Sequence, residues 1–174
     1  MTLRFDLRLD VPAAVPPEER SDVTYDTERD DVRSILRDLC GSLAELPDVR
    51  FVVTIGDPMP VSVRRDLVIV MEQLRDVLAG LREEGTATLD LYEQGIEAQL
   101  LFAVRDGKIR IERRDLLNRP VSPQEMDLPR EMIMGCLRTL ARTFVDVARR
   151  RSPERSAHPW FTDWAQSLLT TASQ

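Results

Sequence analysis

Apolar and polar residues alternate over residues 2–10. Leu3, Phe5, Leu7 and Leu9 fall on one side and Arg4, Asp6 and Arg8 on the other, the period-two signature of a strand with one wet face. Residues 11–19 carry three prolines without periodicity, and with the acidic stretch that follows they predict a mobile proline- and acid-rich loop over 11–30. Val32, Ile35, Leu36, Leu39, Leu43 and Leu46 then recur at helical spacing until Pro47 stops the pattern. The β-branched run at 49–55, bounded by Pro47 and by Gly56-Asp57-Pro58, predicts a short buried strand. Ser62 is placed to cap a second helix through Glu84, with Leu67, Val70, Met71, Leu74, Val77, Leu78 and Leu81 on its inner stripe and Gly85 as its stop.

Three strands follow in close succession, over 86–92, 96–104 and 108–113, with a turn at Gln94-Gly95. Asp106-Gly107 is a two-residue hairpin signal, because both residues tolerate the positive φ of a type I′ turn. Asp127 and Pro129 are expected to open a third helix with Met132, Ile133, Cys136, Leu137, Leu140, Phe144, Val145 and Ala148 on its buried stripe, ending near residues 151–153. Pro159 starts a short final helix reaching Leu169. The order βαβαβββαα predicts a single α+β domain over 1–174, a two-layer arrangement of one mostly antiparallel sheet with helices packed on one face.

Composition narrows the class. In 174 residues with 43% hydrophobic positions, no apolar run is long enough for a membrane span or a signal-peptide core. Cys40 and Cys136 each fall in or beside an apolar helical stripe, so they predict neither a disulfide framework nor a zinc site, and a reducing cytoplasm is the expected compartment. Charge is unevenly spread: residues 1–103 carry a net −10 and residues 104–155 a net +5. Such a layout reads first as a solvated surface with local charge pairing and second as one that steers a charged protein partner. It argues against nucleic acid, since 149–151 is the only basic run. Of 24 basic residues, 23 are arginine, the bias of a high-GC genome.

Catalytic constellations are not expected. Asp90, Glu93 and Glu97 have the chemistry to hold a hard cation, but alternation sets Asp90 on the wet face and the other two at a turn, so neither a metal nor a cofactor is predicted. The cysteines are expected to behave as core residues, and His158, the only histidine, as a surface or capping residue. Gly56-Asp57-Pro58 and Gly80 fit no phosphate-binding loop.

The block 89–111, LDLYEQGIEAQLLFAVRDGKIRI, with the proline- and tryptophan-containing ending, resembles small actinobacterial proteins of the toxin-immunity type. The resemblance implies a binding role carried by an acidic surface and assigns no catalytic residue. Three functions follow as expectations. The first is a non-enzymatic cytoplasmic protein-binding module, an immunity-type inhibitor of a basic toxin domain. Its docking face would centre on Asp22, Asp26, Glu28, Asp30 and Asp31. Trp160 and Trp164, four residues apart on one helix face, would serve either as a clasp over the core, the favoured reading, or as interface anchors. The second is a small-molecule binder or enzyme with a pocket between sheet and helices, using Tyr92, Arg110 and Glu112 as polar contacts. The third is a structural, self-associating subunit.

Overall fold

A computed structural model of the chain describes residues 4–18, 24–92, 97–117 and 125–174. The amino-terminal alternation forms β1 (Phe5–Asp10), which buries Phe5, Leu7 and Leu9. Asp31 caps α1 (Val32–Leu43) by accepting the Arg33 N–H at 2.8 Å. Next, β2 (Arg50–Ile55) runs antiparallel to β1, with Phe5 opposite Ile55 and Asp10 opposite Arg50. The two-residue β3 (Asp57–Pro58) completes a three-stranded sheet of order β1-β2-β3.

Helix α2 (Asp66–Glu83) begins one turn later than expected, but Ser62 still closes its start. The Ser62 hydroxyl accepts the Arg65 N–H at 3.3 Å, while the buried Asp66 carboxylate accepts the Ser62 N–H at 2.6 Å and its hydroxyl at 3.0 Å. Gly85, at φ +72°, turns the chain into β4 (Thr86–Leu91). Strands β5 (Ala98–Arg105) and β6 (Lys108–Asp115) are joined by Asp106-Gly107, both at positive φ as a type I′ hairpin requires. The Gln94-Gly95 turn lies outside the described residues.

Besides the short β3, two elements, a strand and a short helix, are additional to the expected order within the α+β class. Residues 125–129 form a further strand, β7 (Glu125–Pro129), and Asp127 therefore caps no helix: it sits opposite Arg110 of β6, and its carboxylate accepts two guanidinium hydrogen bonds, each 3.0 Å. Met126 and Leu128 turn inward while Glu125 and Asp127 turn outward, an alternation short enough to read equally as a helix start. Helix α3 (Arg130–Arg151) follows directly, and Met132, assigned to its buried stripe, is exposed. A four-residue α4 (Pro153–Ser156) precedes α5 (Pro159–Ser173), which opens on Pro159 with His158 as its cap.

The strands also divide into two antiparallel sheets, β1-β2-β3 and β4-β5-β6-β7, instead of one. The physical reason lies in α2: after the Gly85 turn β4 runs back along this helix, which occupies the strand's edge. The Gln73 carboxamide donates to the Asp90 carbonyl and accepts the Asp90 N–H, both at 2.9 Å, standing in for a neighbouring strand. Close approach is possible because position 80 is glycine: a Cβ there would lie 2.6 Å from the Thr86 carbonyl oxygen. On the first sheet, α3 packs along β1, with the Cys136 thiol beside the Leu7 backbone.

Helix α5 lies against α1, α2 and α3 and buries Phe161, Ala165, Leu168 and Ala172 completely or nearly so. The core is one continuous cluster joining both sheets to these helices. Described residues 11–18 carry no regular structure but are tied down by the basic end of α3. Arg151, only 9% exposed, donates to the Ser42 hydroxyl at 2.9 Å and the Pro16 carbonyl at 3.1 Å, and Arg150 donates to the Ala13 carbonyl at 3.3 Å. No helix among the described residues is long and apolar enough to cross a membrane.

Candidate functional site

Because α2 lies between α1 on one side and β4 on the other, its outward stripe becomes the wall of two adjoining depressions. The first, about 650 Å³, lies between α1 and the amino-terminal half of α2. Arg37 and Asp38 of α1 and Glu45 just beyond it face Arg64, Arg65 and Glu72, and Glu18 and Arg155 border it from the loop and α4. The second, about 680 Å³, is a groove between the carboxy-terminal half of α2 and β4. Its charged lining is Glu72, Asp76, Glu83, Glu84 and Asp90 against Arg33. Glu72 and Tyr92 belong to both depressions, and Tyr92, the residue after β4, is 57% exposed.

The electrostatics of the two differ. In the cleft, Arg155 pairs with Glu18, Arg151 with Glu45 at 3.4 Å, and the Tyr25 hydroxyl donates to Asp38 at 2.9 Å. Burial, reinforced by the Asp38 carboxylate, pushes the Tyr25 phenol far above its usual range, so it remains a donor. In the groove, Arg33 reaches Glu72 at 3.8 Å, Asp76 pairs with its neighbour Arg75 and Glu83 with Arg82. Glu84 and Asp90 have no ion pair among the described residues. Burial raises the Glu72 carboxyl against the opposing pull of Arg33, and Asp31 raises it further.

Arg64 and Arg65 precede α2 and Glu83 and the cap residue Glu84 close it, while Asp66 in its first turn and Arg82 in its last carry the opposite signs, those that the helix macrodipole favours.

The acidic segment expected to form a docking face is built into the start of α1. Asp30 accepts the Asp26 N–H at 2.9 Å and the Ser34 hydroxyl at 2.8 Å, Asp26 accepts the Glu28 N–H at 2.9 Å, and Asp31 is the helix cap. These bonds, the Asp26 N–H first, hold the Asp30 carboxyl below its usual 3.8. Asp22 lies outside the described residues. Through Asp31 and Arg33 this segment adjoins the α2–β4 groove, so their negative charges form one field.

Trp160 and Trp164 are partly buried against the core. The Trp164 ring packs edge-on against Phe144 at 6.0 Å, and Trp160 against His158 at 4.7 Å. Arg110 and Glu112 do not meet Tyr92 in a pocket: they alternate with the fully buried Ile109 and Ile111 and so point to the face of the sheet away from the core, where Arg110 holds Asp127 and Glu112 holds Arg114.

Cys40 is free and fully buried, and desolvation drives its thiol far above the usual range. Cys136 is free and half-buried, its thiol also raised by burial. His158 caps α5, its Nδ1 accepting the Trp160 N–H at 3.3 Å. Of the three carboxylates weighed for a cation, Asp90 lies in the groove, Glu97 follows the undescribed 93–96 stretch, and Glu93 is outside the described residues. Among the described residues no group of three His, Cys, Asp or Glu could hold a metal ion.

The acids of α2 escaped the sequence reading, although Glu72, Asp76 and Glu83 recur at i, i+4 and i+11 and so share one helix face. Glu18 was also unmarked. Burial raises its carboxyl, but hydrogen bonds from Ser152 and Arg155 and the Arg155 charge outweigh that and set it below 4.5. A carboxyl depressed by folding stabilises the folded state above its unfolded pKa, and that contribution fades as pH falls through the folded value. Glu18→Gln is therefore expected to lower the urea midpoint at neutral pH, and the deficit against the parent should shrink below pH 4.5; a deficit independent of pH would refute the assignment.

No family model, curated protein or solved structure matches this chain.

Proposed function

We propose that this chain is a non-enzymatic protein-binding domain whose acidic surface receives a basic face of a partner protein, the relation of an immunity-type inhibitor to a basic toxin domain. The observation that carries this reading is the α2–β4 groove: five carboxylates line a depression that opens beside an exposed tyrosine. An aromatic anchor set within a charged rim is the arrangement on which protein interfaces concentrate their affinity. The acids at the start of α1 extend the same negative field and would speed encounter with a basic partner.

The non-enzymatic part rests on how the reactive groups are spent. Cys40 fills core space, His158 caps a helix, and the Tyr25 hydroxyl is engaged with Asp38. None of the three borders the groove.

Titration with a labelled Gly-Lys-Arg-Leu-Lys-Arg-Lys-Gly peptide tests the reading. Binding is expected to weaken as salt rises, and Asp76→Asn/Glu84→Gln/Asp90→Asn should weaken it by about tenfold or more. Asp48→Asn/Asp163→Asn, exposed positions that line neither depression, should leave it unchanged. Equal losses in the two variants, or salt-independent binding, would defeat the proposal.

A further inference from the structure

The cleft and the groove share α2 as a wall, and along that wall the charge changes from Arg64 and Arg65 to Glu72, Asp76, Glu83 and Glu84, of which Asp76 pairs with Arg75 and Glu83 with Arg82. Arg64 and Arg65 stand at its amino-terminal end with Arg37 facing them from α1; Arg64 makes only a long 3.5 Å bond to the Gly41 carbonyl. None of these three makes a direct ion pair among the described residues, although the Arg37 charge acts on Asp30 and Glu72. Asp76, Glu83 and Glu84, with Asp90 opposite, occupy the other end, and exposed Tyr92 sits where the two regions join.

Resting on the protein-binding reading above, we infer that the continuous trough along α2 takes a charge-segregated segment of the partner: acidic residues over Arg37, Arg64 and Arg65, an apolar residue against Tyr92, and basic residues along the α2–β4 groove. The trough from Arg65 to Glu84 follows about 28 Å of helix, which an extended segment of about eight or nine residues spans. A uniformly basic segment would set like charges against the three arginines, and a uniformly acidic one would set them against the carboxylates. A second copy of this chain would bring one concave trough against another, leaving both unfilled.

Fluorescence anisotropy with three labelled peptides tests the inference on the intact chain: segregated Asp-Glu-Asp-Gly-Leu-Gly-Lys-Arg-Lys, its composition-matched alternating isomer Lys-Asp-Arg-Gly-Leu-Gly-Glu-Lys-Asp, and the uniformly basic peptide above. The segregated peptide is expected to bind about tenfold more tightly than either of the others. Glu83→Arg/Glu84→Arg, which leaves arginines at both ends, should shift the preference to an all-acidic Asp-Glu-Asp-Gly-Leu-Gly-Glu-Asp-Glu. Equal affinity for the segregated and uniformly basic peptides would overturn the segregated-charge inference while sparing the basic-partner reading. Equal affinity for the segregated and alternating peptides would overturn it as well. Failure of every peptide to bind the parent chain would overturn both.

Discussion

Removal of residues 159–174 is expected to leave a chain without a cooperative thermal transition. Helix α5 touches α1, α2 and α3 and buries Phe161, Ala165, Leu168 and Ala172 in the cluster that joins both sheets. Returning those side chains and the packed faces of Trp160 and Trp164 to water removes roughly 7–10 kcal/mol of burial. That is comparable to the entire stability of an ordinary domain, about 5–15 kcal/mol. Calorimetry and near-ultraviolet circular dichroism of the truncated chain provide the check. A truncated chain that keeps its melting temperature would reject the clasp and return the two tryptophans to the role of interface anchors.

Phe144→Ala should have the largest effect of any single substitution at the helix interface. Its ring is fully buried on α3 and meets Trp164 edge-on at 6.0 Å. Truncation leaves a cavity that the surrounding helices close only in part, at about 3–5 kcal/mol. Trp164→Ala alone should cost less, because that ring is only partly buried. The double variant should be less destabilised than the sum of the two, by about 0.5–1.5 kcal/mol, if the edge-on contact contributes beyond its area. Strict additivity in urea denaturation would show that the two rings act independently.

How far the sequence could be read depended on how local each signal was. The alternation of β1 and β6, the strand run of β5, the Asp106-Gly107 hairpin and the Pro159 helix start are decided by neighbours a few residues away, and all are present. The division into two sheets is not local. It depends on Gln73 meeting Asp90 and on Gly80 meeting Thr86, contacts that arise only when α2 folds back along β4. Strand β7 was missed because Asp127 followed by Pro129 has the chemistry of a helix start, and only the register with Arg110 decides otherwise.

The site shows the same division. Tyr92 was singled out from the sequence and borders both depressions. The acidic segment before α1 was recognised as negative, but its carboxylates also hold the turn and the helix cap. The groove itself has one wall from a helix and one from a strand, so although all its lining but Arg33 falls within residues 72–92, no single periodicity displays it. Its helical half was nevertheless legible: the apolar stripe of α2 was followed along the chain, while the polar stripe with Glu72, Asp76 and Glu83 was not. The run at 149–151 was read only as charge, whereas Arg151 turns inward and fastens the loop at Pro16 to Ser42 of α1.

The most direct test of the central claim is a map of backbone amide shifts as the basic Gly-Lys-Arg-Leu-Lys-Arg-Lys-Gly peptide is added to the intact, isotopically labelled chain. The account predicts that the largest saturable shifts fall on Glu72, Asp76, Glu83, Glu84, Asp90 and Tyr92, the residues of the groove and its aromatic border. Shifts centred on the outer face of β6 and β7, around Arg110 and Asp127, or spread evenly over exposed acids without saturating, would contradict it.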